Sequence, residues 1–260
     1  MQAVLVRVGI DQTYGTMNAP VNPATLEFAY VPIPEDEGKT DKDGIKKKPI
    51  REVEGCKITY EQFKKACSKF DKNLPSSLLT EGKYAHLDPD FKYLTYGDES
   101  IKATQLRNLK LSEGDLLIFY SALEPINDDR SCHLCYAIIG FYEIKETKDA
   151  TDIPPEQWKI NAHSRREPKK GDDIVFIGKK GKSGRLSKCI PIGEYRPNEK
   201  GIYGYYLRKE PEYKWGGLTS LRLVLSYPIP RFKEPERFYN WLQREMESRK
   251  IDLKEENNLN

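Results

Sequence analysis

Two apolar segments, residues 116–123 (LLIFYSAL) and 132–146 (CHLCYAIIGFYEIKE), decide the fold class of this 260-residue chain. Both are rich in β-branched and aromatic residues, and the polar loop EPINDDRS joins them. Short runs of this composition between turn-forming residues are typical of β-strands. We therefore predict two strands connected by that loop.

Further strands are predicted on either side of these two. Residues 3–10 (AVLVRVGI) indicate a buried strand, and residues 26–34 (LEFAYVPIP) a second one. Residues 171–179 and 186–192 are predicted to pair with each other around the turn KGKSGR. Strands do not alternate with helices in a βαβ rhythm, so we predict an α+β fold with a mixed or antiparallel sheet, with partial closure into a barrel as one option.

Three segments predict helices. Residues 59–70 have apolar side chains at helical spacing, with Thr59 as N-cap and Gln62 completing a capping box. Residues 101–115 should contain a short helix. Residues 234–250 predict a C-terminal helix with Pro235 in its first turn and one apolar face. We expect a single domain over residues 1–250, with a mobile, charged excursion at 35–54 and a frayed tail at 251–260.

Composition excludes several classes of protein. No apolar run is long enough to span a membrane, and the N-terminus lacks the features of a secretory signal. The five cysteines are odd in number and irregularly spaced, which favours reduced thiols and a cytoplasmic location. CHLC has no second Cys pair with which to form a zinc site, and GKKGKSGR lacks the spacing of a phosphate-binding Walker loop.

Positive charge is concentrated in one stretch. Residues 1–150 carry a net charge of −4 and residues 151–260 one of +7, and the window 159–188 alone carries +7. A basic stretch is what a polyanion binder needs, although lysines on a surface turn also serve solubility. The predicted phosphate-binding residues are Arg166, Lys179, Lys180, Lys182, Ser183 and Arg185.

A second group of residues has the chemistry of an acid/base site. Asp11 follows the first strand, His86 and Asp88 lie in HLDPD, and NAHSRR contains His163 and Arg165. Carboxylates, an imidazole and an arginine in loops are the parts of a catalytic site for an anionic substrate. Structural roles are the alternative, since Asp88 precedes a proline and Asp11 can cap a turn. The predicted catalytic residues are Asp11, Asp88, His163 and Arg165, and no metal ligand is predicted.

Eight segments together resemble the third of the nucleotide modification associated domains. In chain order they are LVRVGID, NAPV, FAYVPIPE, HLDPDFKYLTYGD, LSEGDLLIFYSAL, AIIGFYEI, NAHSRR and SGRLSKCIPIG. The resemblance covers residues 4–231. That family is defined from phage and bacterial gene neighbourhoods concerned with DNA base hypermodification, and it implies no particular reaction. The residues that match its charged motifs are Arg7, Asp11, Asn18, Asp88, Asp98, His163 and Arg165.

The resemblance leads to a hypothesis of a nucleic-acid-directed protein that acts on a base or nucleotide, with DNA favoured over RNA. Tyr14, Tyr93 and Tyr96, or the aromatics of YGYY at 203–206, would stack on an exposed base. Two alternatives remain: a non-catalytic reader of modified bases, because the segment EGDLLIFYSAL…YAIIGFYEI also resembles PUA-like modules, and a metal-dependent nuclease. The cofactor is unknown, and partner modification enzymes are expected.

Overall fold

The computed structural model describes residues 1–35, 48–126, 134–220, 223 and 228–258, apart from the side chains of 14, 15 and 210–212. The strands are β1 Ala3–Arg7, β2 Pro20–Val21, β3 Ile33–Pro34, β4 Ala85–His86, β5 Thr95–Glu99, β6 Leu116–Pro125, β7 Cys135–Asp149, β8 Asp173–Gly178, β9 Gly184–Pro191, β10 Gly193–Pro197, β11 Tyr203–Leu207 and β12 Leu253–Lys254. The helices are α1 Gln12–Gly15, α2 Glu61–Ser68, α3 Ser100–Asn108, α4 Ala162–Arg165, α5 Lys209–Trp215 and α6 Pro235–Ser248, with short 3-10 helices at Ser76–Leu78, Ala150–Asp152 and Pro155–Ile160.

The predicted pair β6 and β7 forms the centre of the main sheet. The two strands are antiparallel, and β1 pairs parallel to β6, which makes the sheet mixed. A β-bulge interrupts the β6–β7 register between Phe119 and Tyr120. Gly140 lies opposite Phe119, and an added Cβ there would approach the backbone oxygen of Gly184 to 2.7 Å. A side chain at residue 140 would therefore push β9 away from β7.

The fold class is confirmed as α+β with a large mixed sheet. Its strand order is β1-β6-β7-β8-β5, with β2 beside β6, β9 beside β7, and β12 beside β9. The sheet stays open, so the option of a barrel is not realised. The small pairs β3–β4 and β10–β11 form separate two-stranded sheets.

Both faces of the main sheet are covered. Along β6, Leu117 and Phe119 point into one apolar core, and Ile118 and Tyr120 into another, because successive side chains of a strand alternate between its faces. The first core is completed by α2, α3 and the chain around Phe91. The second is completed by α5 and α6. The sheet is thus a buried layer between two sets of helices and loops.

The three predicted helices are present. In α6, the side chains Phe238, Trp241, Leu242 and Met246 are buried, as the spacing predicts. The start of α2 differs from the prediction, since its N-cap is Tyr60 and no side chain caps it. Thr59 is instead held in a β-bridge to Tyr84. None of the helices in the described ranges has both the length and the apolar character needed to cross a membrane.

Two strand predictions are wrong. β8 and β9 do not pair with each other; both pair with β7, β8 along Ile144–Asp149 and β9 along Ala137–Phe141. The 15-residue β7 is long enough to offer each of them its own stretch of the same edge. In residues 26–34, only Ile33–Pro34 forms a strand, although residues 28–31 are buried.

The charged excursion at 35–54 and the C-terminal tail at 251–260 are the two segments expected to be mobile or frayed. Most of the excursion, residues 36–47, lies outside the described residues. The flanking Glu35 and Lys48 have side chains that are 6% and 11% exposed, so the described ends of the excursion are fixed in the fold. The tail differs from the prediction of fraying: β12 pairs with β9, Ile251 is buried, and Asn257 bonds Phe91 and Asp90.

Removal of residues 251–260 is expected to destabilise the protein. Burial of Ile251 alone contributes about 1.5–3 kcal/mol, and truncation also exposes the edge of β9. The free energy of unfolding, measured by urea denaturation, should fall by about 3 kcal/mol or more. An unchanged urea midpoint would show that the tail does not contribute to the fold.

Candidate functional site

A polar cavity of about 290 Å³ opens beside the end of β1, between β5 and α4. Its position follows from the fold, because the loops after β1 and β4 and the start of α3 all end at this corner of the sheet. The lining residues are Arg7, Val8, Gly9, Asp11, Ile33, His86, Asp88, Tyr96, Gly97, Asp98, Glu99, Lys102 and His163.

Asp88 and His163 form the floor of the cavity. Both side chains are 4% exposed, and His163 Nε2 lies 3.5 Å from Asp88 Oδ2. Asn161 positions both residues. Its Oδ1 accepts a hydrogen bond from the backbone N–H of His163 at 2.8 Å, and its Nδ2 donates to Asp88 Oδ1 at 3.1 Å. The backbone N–H of Gly97 also donates to Asp88, at 2.9 Å to Oδ1 and 3.0 Å to Oδ2. The carboxylate is thus fixed before any ligand arrives.

The protonation states of the floor residues are shifted toward the neutral forms. Burial raises the pKa of Asp88 well above its ordinary value, and the nearby Asp98 raises it further. Burial also lowers the pKa of His163 well below its ordinary value, with repulsion from Arg166 and His86 adding to the effect. Removal of water from charged groups is the common cause.

The second ring nitrogen of His163, Nδ1, contacts a network of ion pairs. His163 Nδ1 lies 2.8 Å from Asp173 Oδ1 and 2.9 Å from Arg166 Nη2. Since one nitrogen cannot both donate to Asp173 and accept from Arg166, the Nδ1–H tautomer bonds Asp173, and the Arg166 guanidinium is shared among Glu35, Glu99 and Asp173. Asp173 is fully buried and also contacts Lys48.

His86 packs against His163, edge to face, with ring centroids 5.0 Å apart. His86 Nδ1 lies 2.7 Å from Glu35 Oε2. Burial acts to raise the pKa of Glu35, but His86, Arg166 and His163 outweigh it and lower that pKa to about 2. Glu35 therefore remains a carboxylate beneath the two rings.

The rim of the cavity carries charges of both signs. Arg7 Nη2 lies 2.9 Å from Asp11 Oδ2, and Asp11 Oδ1 also accepts a bond from the Thr13 N–H. Lys102, which also lines the cavity, lies 3.9 Å from Asp98 Oδ2. Burial raises the pKa of Asp98, while Lys102 acts in the other direction. A bound group therefore meets a mixed rim and a buried Asp–His floor.

The structure brings three of the four predicted catalytic residues together. Asp11, Asp88 and His163 line the cavity, whereas Arg165 does not. The Arg165 guanidinium is buried, and it bonds Asp90 Oδ2 at 2.5 Å and the carbonyl oxygen of Lys159. Arg166, predicted to bind phosphate, is buried beneath His163 rather than exposed in the cavity.

The predicted phosphate-binding turn lies elsewhere and is filled by carboxylates. β8 runs from Asp173 at the site to Gly178 at the turn, which is about 17 Å of extended chain. Lys179 and Lys182 contact Glu143, and the backbone N–H of Gly181 donates to Glu255. Ser183 and Arg185 are buried within the sheet, whereas Lys180 is exposed.

The predicted base-stacking tyrosines are dispersed. The side chain of Tyr14 lies outside the described residues. Tyr93 is half-buried and does not line the cavity. Tyr96 does line it, but its ring packs on Phe119 and its hydroxyl donates to Asp98 at 2.6 Å.

A row of aromatic rings instead leads from solvent to the cavity rim. Tyr203 lies 5.7 Å from Tyr195, Tyr195 lies 5.2 Å from Tyr205, and Tyr205 lies 4.6 Å from Tyr136, measured between ring centroids. The Arg7 guanidinium carbon lies 5.6 Å from the centroid of Tyr136. We call Tyr203, Tyr195, Tyr205 and Tyr136 the tyrosine row.

Comparison with known proteins identifies the family. The sequence profile of nucleotide modification associated domain 3 matches residues 2–210. The chain belongs to this family. No curated protein and no solved structure shows significant similarity to it.

Membership in the nucleotide modification associated domain 3 family associates the chain with nucleotide modification. Five of the seven residues matched to the family's charged motifs line the cavity: Arg7, Asp11, Asp88, Asp98 and His163. Asn18 does not; it is buried and its amide donates to the carbonyl oxygen of Ala122. Arg165 is the other exception.

The sequence does not predict the residues that support the candidate site from behind. Glu35, Asn161 and Asp173 hold the two imidazoles and Asp88. Glu35 and Asn161 lie in the quoted segments FAYVPIPE and NAHSRR, but their residue types and spacing alone predict no role. His86 belongs to the polar group that the sequence indicates, but the sequence predicts no role for it. Its spacing of two residues from Asp88 was the available signal.

Proposed function

We propose that this chain is an enzyme that acts on one nucleotide or base of a nucleic acid in the cavity floored by Asp88 and His163. The observation that carries the proposal is that charged residues distant in sequence lie together around one cavity. Five charged residues from three separate family segments, spread from Arg7 to His163, meet at one cavity. Titratable groups with pKa values shifted by burial, gathered in a cleft, are typical of an active site.

The size of the cavity supports a single nucleotide as the reacting unit. A volume of about 290 Å³ is near the lower end of the range of ligand-binding pockets. A base that is part of a strand would therefore have to be extruded to enter, as in other enzymes that act on bases. Arg7 and Lys102 at the rim are the cations placed to meet its phosphate.

The chemistry is assigned to Asp11, Asp88 and His163. Asp88 and His163 lie at the buried end of the cavity, where water is excluded and electrostatic interactions are strong. Asp11 lies at the rim beside Arg7, within the space that a bound nucleotide would fill. Arg165 supports the site indirectly by fixing Asp90 and the chain around Lys159.

The tyrosine row favours a strand over a free nucleotide. Its exposed members, Tyr203 and Tyr195, are 64% and 45% exposed, and its buried end contacts Arg7. Stacking of bases on successive aromatic rings is the usual means of binding single strands without sequence specificity. A strand lying along the row would deliver the adjacent nucleotide to the cavity.

The two alternative functions receive less support from the site. A reader of modified bases requires an aromatic face in its pocket, but in the described lining the only tyrosine, Tyr96, packs its ring on Phe119. A magnesium-dependent nuclease requires paired carboxylates on the metal, whereas two imidazoles face Asp88 here.

Fluorescence anisotropy with labelled single-stranded DNA, across a salt series, tests whether a strand binds along the tyrosine row. The double substitution Tyr195→Ala and Tyr203→Ala should weaken binding about tenfold or more, because stacking contributes about 1–3 kcal/mol per base. Tyr213→Ala is the matched control, since Tyr213 is 81% exposed and lies outside the row. Its affinity should equal that of the wild type.

Calorimetry with a deoxynucleoside monophosphate measures nucleotide binding in the cavity independently of strand binding along the tyrosine row. The double variant should bind the mononucleotide as the wild type does. If its affinity for single-stranded DNA is also unchanged, the strand does not follow the tyrosine row. If RNA binds more tightly than DNA, the assignment to DNA is wrong.

A further inference from the structure

The two imidazoles of the cavity are held in the same way. Each bonds a buried carboxylate through Nδ1: His163 bonds Asp173 at 2.8 Å and His86 bonds Glu35 at 2.7 Å. The side chains of Asp173 and Glu35 are 0% and 6% exposed. A carboxylate on Nδ1 fixes the tautomer and the ring orientation and leaves the Nε2 lone pair available, which is the usual arrangement behind a metal-binding histidine.

Both rings bring a ligand atom close to Asp88. One ligand atom from each of His86, Asp88 and His163 lies within 4.8 Å of the other two, and His163 Nε2 is 3.5 Å from Asp88 Oδ2. Two ligands of a tetrahedral ion with bonds of about 2.1 Å lie about 3.4 Å apart. The observed spacing therefore suits a shared ion.

Asp88 and its surroundings suit a cation as well. Its carboxylate is oriented by hydrogen bonds from the Gly97 N–H and the Asn161 amide, as metal-binding carboxylates are oriented by neighbouring donors. Behind the two rings, the buried carboxylates Glu35 and Asp173 place negative charge close to the candidate ligands. Arg166 and Lys48 balance part of it.

We propose that His86, Asp88 and His163 bind a divalent first-row transition metal ion whose remaining coordination positions face the cavity. Two imidazoles and one carboxylate suit zinc, iron, cobalt or nickel better than magnesium or calcium, which select oxygen ligands. A second group, Glu99, His163 and Asp173, also brings ligand atoms together. Arg166 Nη2 already lies 2.9 Å from His163 Nδ1, so a guanidinium fills that position.

The open positions would take water or an oxygen of the nucleotide. That role rests on the proposed function, whereas binding of the ion does not. The two proposals can therefore fail separately: metal titrations contain no nucleotide, and nucleotide binding can be measured on metal-free protein.

The test is titration of untagged, chelator-treated protein with Co²⁺, followed by visible absorption, and with Zn²⁺, followed by calorimetry. We expect one high-affinity equivalent of either ion. His86→Ala should weaken binding by about 100-fold or more, and Glu35→Gln, which acts only through His86, by about 10–100-fold. His133→Ala, at a residue outside the described ranges, is the control with the same chemistry and should bind as the wild type.

Loss of metal binding can be distinguished from unfolding of the variants. His163 is buried and its replacement can unfold the chain, but the His86 side chain is 13% exposed and Glu35→Gln preserves shape. Circular dichroism verifies each variant. The proposal is overturned if folded wild-type protein takes up neither ion, or if its single equivalent survives both His86→Ala and Glu35→Gln.

Discussion

Protein carrying Asp88→Asn is expected to keep its fold and to form product about 100-fold more slowly or not at all. Asparagine is nearly isosteric, and its oxygen can still accept the bonds that Gly97 N–H and Asn161 donate to Asp88. The carboxylate charge is lost, however, and a positioned acid, base or metal ligand contributes about 10²–10⁴-fold to rate. His163→Ala should cost at least as much activity, with an additional loss of stability because the ring is buried.

Asp90→Asn is the matched control. Asp90 lies two residues from Asp88 in the same segment, but it contacts Arg165 and does not line the cavity. Loss of its charge leaves the Arg165 guanidinium buried without its partner, which should lower the free energy of unfolding by about 3 kcal/mol. The fraction that folds should retain activity.

The measurement is product formation on single-stranded DNA and on free nucleotides, followed by mass spectrometry of the released nucleosides. Thermal unfolding is recorded for every variant. The acid/base or metal role of Asp88 would be refuted if Asp88→Asn retained wild-type turnover. Equal losses of activity and stability in Asp88→Asn and Asp90→Asn would make both residues structural.

Gly97→Ala is expected to disrupt the site by filling space that His163 needs. A Cβ on residue 97 would collide with the imidazole and would lie 2.9 Å from Asn161 Oδ1. Overpacking of this kind costs about 1–3 kcal/mol, and here the displaced groups are the ring and the amide that position Asp88. Metal binding and product formation should therefore fall together with stability.

A double-mutant cycle isolates the cause. If the collision with His163 is responsible, the double variant Gly97→Ala, His163→Ala should be more stable than the sum of the single effects predicts, with a coupling energy of about 0.5–3 kcal/mol. Urea denaturation of the wild type, the two single variants and the double variant supplies the four free energies of unfolding. Strict additivity would place the damage elsewhere, and an unchanged Gly97→Ala protein would show that β5 and α4 separate without cost.

Prediction from sequence succeeded where the pattern is local. The continuous β-branched and aromatic runs of β6 and β7 are recognised from neighbouring residues alone. The same holds for the apolar face of α6, whose side chains recur every 3.6 residues. It failed where pairing partners are distant. β8 and β9 have the composition of a hairpin, but the long edge of β7 was available to both.

The net charge of residues 159–188 likewise does not predict which of the basic residues are paired with carboxylates in the fold. Its sequence has an excess of positive residues, yet Glu113, Glu143 and Glu255 reach Lys179, Lys182 and Gly181 from distant segments. Arg165, Arg166 and Arg185 are buried in networks of their own. A count of charges along the chain cannot register carboxylates that arrive through folding.

Residue identity and local spacing were sufficient to predict the central strands β6 and β7, the helices α2, α3 and α6, and the family. They also singled out Asp11, Asp88 and His163, which line the candidate cavity. Which polar residues meet there depends on how distant segments fold together. Glu35, His86 and Asp173 are separated by up to 138 positions in the sequence, and they reach His163 because β4, β8 and α4 converge at one corner of the sheet.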